Sequence, residues 1–212
     1  MHRRQFLHAV TIAAAAPEAV TSARADVATP AVDDDSSLTA RVTAIDPEAV
    51  LEALLSTPVT TPLTPRDTPE VDPVPWEDES DTDLQSAVGG VLFQTGRDVR
   101  DNPIVMATAI VHADAASATA ALAEVGPHEM QELYGLPFFV QDFGDYAVAV
   151  AQVGYLLLAG GAETPPETAS AGPAASVSPT VASGSGRIHL RALANLAATL
   201  DHLEDVLATL DT

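Results

Sequence analysis

"FFVQDFGDYAVAVAQVGYLLLAGG", residues 138–161, is the stretch on which the reading of the fold turns. Its most apolar part runs over 17 residues, 146–162, and two structures compete for it. A membrane-spanning helix fails on length, because crossing hydrocarbon takes about 20 apolar residues. It fails again on Gln152 and on the interruptions at Gly154, Gly160 and Gly161. Two strands reversing at about Val153 and Gly154 fit better. Both faces of such strands would be apolar, which places them at the centre of a sheet covered at least partly on each side.

Working upstream, "AVGGVLFQTG" (87–96) and "PIVMATAIVHA" (103–113) are apolar and rich in β-branched residues, with "RDVRDN" between them. They read as antiparallel strands joined by a loop. Asp114 is a helix N-cap for the alanine-rich "AASATAALAEV", which turns Ala118, Leu122 and Val125 inward. "HEMQELYG" (128–135) is expected to add a helical turn or two, stopped by Gly135 and Pro137. Further towards the N-terminus, "AIDPEAVLEALL" has Asp46 as N-cap, Pro47 at the first helical position and an apolar stripe at Val50, Leu51, Leu54 and Leu55. Between that helix and the strands, prolines 58, 62, 65, 69, 73 and 75 forbid helix and rule out a central strand. An extended edge or a loop remains.

Downstream, residues 163–186 are low-complexity Pro/Ala/Ser/Thr/Gly, a disordered loop by composition. The terminal helix, 188–210, carries leucines 193, 196, 200, 203, 207 and 210 at alternating spacings of three and four. That stripe either covers the chain's own sheet or zips to a second copy as a homodimer. The order of elements gives an α+β domain over 42–212: an antiparallel sheet of about four to five strands with helices packed mainly on one face. Residues 26–41, with "VDDDSS", lack apolar periodicity and form an acidic spacer.

The formal charge is −21, and the chain has neither lysine nor cysteine. Such a surface repels the phosphate backbone, so nucleic acid is excluded as a partner, and anionic lipid is disfavoured. Disulfides, zinc–thiolate sites and cysteine nucleophiles are excluded outright. The acids at 77–83 form the densest cluster, but no glycine stands at the centre of a calcium loop.

Residues 1–25 read as an export signal: positive His2, Arg3 and Arg4, an apolar run over 6–16, and a small-x-small site at Ala23 and Ala25. "RRQFL", with Arg3, Arg4, Phe6 and Leu7, resembles the twin-arginine (Tat) motif. His2 stands where that motif has a hydroxyl residue, and His8 where it often has lysine. The resemblance implies the Tat translocase and signal peptidase as partners during export. Cleavage near Ala25 then leaves a soluble extracytoplasmic product, periplasmic or secreted, without a membrane anchor. Its 29 acids would face six arginines.

"AIVHADAASATAALAEV" followed by "YAVAVAQVGYLLLAGG" carries a second likeness. A strand running into a capped D-x-x-S-A-x-x-A helix, then a late hairpin and terminal helix, is similar to PknH-like sensor and LpqN-type extracytoplasmic domains. Those domains have cysteine pairs that this chain lacks, so no functional residue carries over.

Chemical motifs are few. "HEMQE" places His128 and Glu132 four apart with Glu129 after the histidine, but the zinc motif H-E-x-x-H needs histidine at 132. His112 and Asp114 flank a strand end, and His189 and His202 lie thirteen apart on the last helix. "SGSGR" (183–187) matches four-fifths of G-x-S-x-G but follows no strand. No catalytic residue, metal ligand or cofactor is assigned. The expected function is an exported non-catalytic binding or sensor-type module for a small molecule, peptide or protein. The alternatives are a hydrolase or metal-dependent enzyme using His112 and His128, and a structural dimer through the C-terminal helix.

Overall fold

The structure, a computed structural model, describes residues 37–60, 63, 71–76, 87–97, 103–125, 128–144, 146–163 and 184–211. The central segment is a hairpin of β6 (Tyr146–Val153) and β7 (Leu156–Glu163), with Val153 paired to Leu156. Gly154 and Tyr155 make the reversal, one residue later than expected. Gly154 has φ +58°, which suits the first central position of a type II′ turn.

The far side of β7 pairs antiparallel with β3 (Pro103–His112), which pairs with β2 (Ala87–Arg97), and β2 with β1 (Asp72–Pro75). On the other side, β6 pairs with β5 (Leu136–Asp142) and β5 with β4 (Gln131–Leu133). The result is one antiparallel sheet in the order β1-β2-β3-β7-β6-β5-β4, with β7 at its centre. Seven strands replace the four to five expected. The additions come from 138–142 separating as a strand of its own, from the proline-rich stretch supplying edge strand β1, and from β4.

β4 corrects a sequence expectation. "HEMQELYG" forms no helix; it enters an edge strand that turns into β5 at Tyr134 and Gly135, with φ of 53° and 76°. Two consecutive positive φ values are the signature of a type I′ hairpin turn, which matches strand twist. The neighbouring β5 edge supplies hydrogen bonds that one isolated helical turn would lack.

Helices sit mainly on one face, as the pattern implied. On that face lie α1 (Leu38–Thr43), α2 (Pro47–Ser56) and the long α4 (Gly184–Leu210). α3 (Ala115–Glu124) lies on the other. Alternation along the strands divides the residues: Leu156 and Leu158 enter the main core, Leu157 and Ala159 the opposite face. α1 begins at Leu38 with Ser37 as its cap, so helix starts inside the span read as spacer. Asp46 Oδ1 accepts the Glu48 N–H at 3.0 Å, and Asp114 Oδ1 accepts that of Ser117 at 2.7 Å, confirming both caps.

The leucine stripe of α4 is used internally. Leu196, Leu200, Leu203 and Leu207 are buried in the main core, with Leu193 and Leu210 packed against it. Gly160 lets the helix backbone approach closely: a Cβ there would stand 2.5 Å from Ala192 O and would also strike Leu196 N. Across the sheet, Gln152, the residue that interrupted the apolar run, anchors α3. Its Nε2 donates to Ala115 O at 3.2 Å and to Gly154 O at 2.9 Å.

Candidate functional site

His112 closes β3 and is fully buried. Burial lowers its pKa, and the nearby Asp114 carboxylate opposes that shift. Asp114 is itself held below the usual carboxylate range, first by the Ser117 backbone N–H it caps. These two therefore act at a strand end and a helix start.

His128 lies elsewhere, stacked on Phe139 of β5 with ring centroids 4.0 Å apart, its Nε2 3.0 Å from Val125 O. Because 131–133 is strand, His128 and Glu132 do not share a helical face. Among the described residues no three His, Asp or Glu side chains are grouped to hold a metal, so the combination of His112 and His128 with carboxylates does not assemble.

The fold makes one polar pair that sequence spacing concealed. His189 in the early turns of α4 meets Asp142 at the end of β5, Nε2 to Oδ2 2.8 Å, across 47 residues of chain. The other carboxylate oxygen accepts the Gly144 N–H at 2.7 Å, which is the main reason the Asp142 pKa is lowered. A histidine oriented by a carboxylate is half of a general-base arrangement. The pair ties α4 to the sheet.

His202 is the remaining histidine on α4, buried edge-on to Phe93 at a centroid distance of 5.4 Å. Desolvation lowers its pKa, while Asp205 and the backbone at Leu54 push the other way. Nearby, Asn195 Nδ2 donates to Gly161 O, and Thr199 Oγ1 donates to Asn195 O at 2.7 Å. These polar groups lie inside the helix–sheet layer.

The two edges of the sheet differ. β1 carries Pro73 and Pro75, each lacking an N–H, which blunts that edge against further pairing. β4 has no proline, and among the described residues its only strand neighbour is β5. In a two-residue hairpin the closing pair, Leu133 with Leu136, is hydrogen-bonded, and the next pair, Glu132 with Pro137, is not. The Glu132 backbone N–H and C=O therefore face outward. Two of the large apolar side chains most exposed to solvent flank this edge: Met130 at 50% and Tyr134 at 72%.

The export residues Arg3, Arg4, Phe6, Leu7, Ala23 and Ala25 lie outside the described residues, as do the acidic stretch 77–83 and Ser183. No helix among the described residues is long and apolar enough to cross a membrane. No family model, curated protein or solved structure matches the chain.

Proposed function

We propose that the protein is an exported, non-catalytic binding module whose ligand is an extended segment taken up at the β4 edge. The observation that carries this reading is the inequality of the two edges: one blunted by prolines, the other without proline or a further strand among the described residues and flanked by exposed Met130 and Tyr134. Adding a strand to an open edge provides main-chain hydrogen bonds whatever the ligand sequence, and pockets for alternate side chains supply selectivity. The likeness of residues 109–125 and 146–161 to extracytoplasmic sensor domains, and the leader with its twin arginines, support the same reading.

Two measurements test it. Fractionation with N-terminal sequencing is expected to find the chain outside the cytoplasmic membrane beginning at Asp26, and Arg3→Lys with Arg4→Lys to leave it inside. Selection from a displayed peptide library is expected to enrich proline-poor extended sequences, with Glu132→Pro abolishing the enrichment. Hydrolysis of ester or peptide substrates that disappears in His189→Ala would replace the binding module with an enzyme.

A further inference from the structure

Resting on that reading of the β4 edge, we infer that its partner is a basic extended segment, with lysine or arginine alternating with apolar residues. Glu132 is at the middle of β4 and Glu129 just before it, both exposed. Among the described residues neither forms an ion pair. No lysine or arginine occurs in residues 125–144, and the whole chain carries a formal charge of −21, so these carboxylates are electrostatically complementary to a basic partner.

The apolar half of the recognition has its own place. Leu133 packs against the main core, whereas Met130 and Glu132 fall on the opposite register, the side where His128 stacks on Phe139. A segment paired to the outward N–H and C=O of Glu132 would set one basic side chain beside its carboxylate. The next basic residue, two along, would lay its alkyl stem against Met130, and the apolar residues between would fall on the side of Leu133. A β4 strand of three residues spans about 10 Å, at about 3.3 Å per residue, so the segment is short.

A second copy of this chain is a worse occupant. Antiparallel pairing of two β4 edges would bring Glu132 of each copy towards the other within two strongly acidic molecules. The same acidity turns away nucleic acid and anionic lipid.

The test uses the full chain and two capped hexapeptides, one alternating valine with lysine and one alternating valine with glutamate. Amide exchange followed by NMR is expected to slow at Glu132 with the lysine peptide. Affinity should exceed that for the glutamate peptide by about tenfold or more at low salt, and the ratio should shrink in about 0.5 M NaCl. Glu129→Lys with Glu132→Lys keeps the backbone donor and is expected to reverse the preference. Should Glu132→Pro fail to fold, that charge reversal still decides.

Equal affinity for both peptides overturns the basic partner while leaving edge binding intact. Failure of every peptide, including library-selected ones, to protect the β4 amides overturns the edge reading as well. Protection of Glu132 without peptide, together with doubled mass in solution, would assign the edge to a second copy and overturn the inference.

Discussion

At the residue scale, Gly160 has the closest approach among the described glycines. Its missing Cβ is where the α4 backbone lies, and backbone on both sides of the contact cannot rotate away as a flexible side chain would. Gly160→Ala is expected to destabilise by about 1–3 kcal/mol, read as a lower urea midpoint with an unchanged m-value. His202 yields a pH prediction. Its folded pKa lies below the ordinary 6.5 because burial penalises the charged ring. Above that pH both folded and unfolded rings are neutral and nothing changes. As pH falls below 6.5 the unfolded chain binds a proton that the folded chain refuses, so stability declines until the folded pKa is reached. His112 is shifted in the same direction. Urea unfolding between about pH 7 and pH 5 should show this loss, and His202→Leu should flatten the slope. An unchanged slope in that variant would mean His202 is accessible to protons in the native state.

Elements were legible wherever local chemistry was decisive. Asp46 with Pro47, and Asp114 ahead of its alanine-rich run, marked helix starts from the sequence alone, since a cap is set by neighbours within three residues. Asp46→Ala is expected to cost about 1 kcal/mol, measurable as a fall in Tm without loss of the sheet signal. β4 was not legible in this way. "EMQEL" has good helical propensity, and what makes it strand is the open edge of β5 beside it together with the positive φ values of Tyr134 and Gly135. That misreading also hid the candidate site, because edge exposure is a property of the sheet. The His189–Asp142 pair was equally hidden: contact across 47 residues follows from where α4 crosses β5, which no spacing rule reports.

For the whole molecule, charge dominates. A chain at −21 repels itself when compact, and mobile ions relieve that repulsion. Raising NaCl from about 10 mM to about 150 mM shortens the screening length from about 30 Å to about 8 Å, and should raise Tm. A Tm that falls with salt would show that attractive ion pairs outweigh the general repulsion. Arg41 with Asp211, at 3.0 Å, is one such pair, but it is solvent-exposed and worth little. The leucine stripe of α4 was ambiguous in sequence between a partner helix and the chain's own sheet; burial of Leu196, Leu200, Leu203 and Leu207 decides for the sheet.

Sequence by itself determined the α+β class, the two paired strands 87–96 and 103–113, the caps of α2 and α3 and the central place of the 146–162 hairpin. Each rests on periodicity or on contacts between near neighbours. Only the tertiary structure decided the strand order, the conversion of 131–133 to an edge strand, the meeting of Asp142 with His189 and the use of the α4 stripe. Those depend on which surfaces meet after long loops close, and the hydrophobic effect that drives their meeting is non-directional.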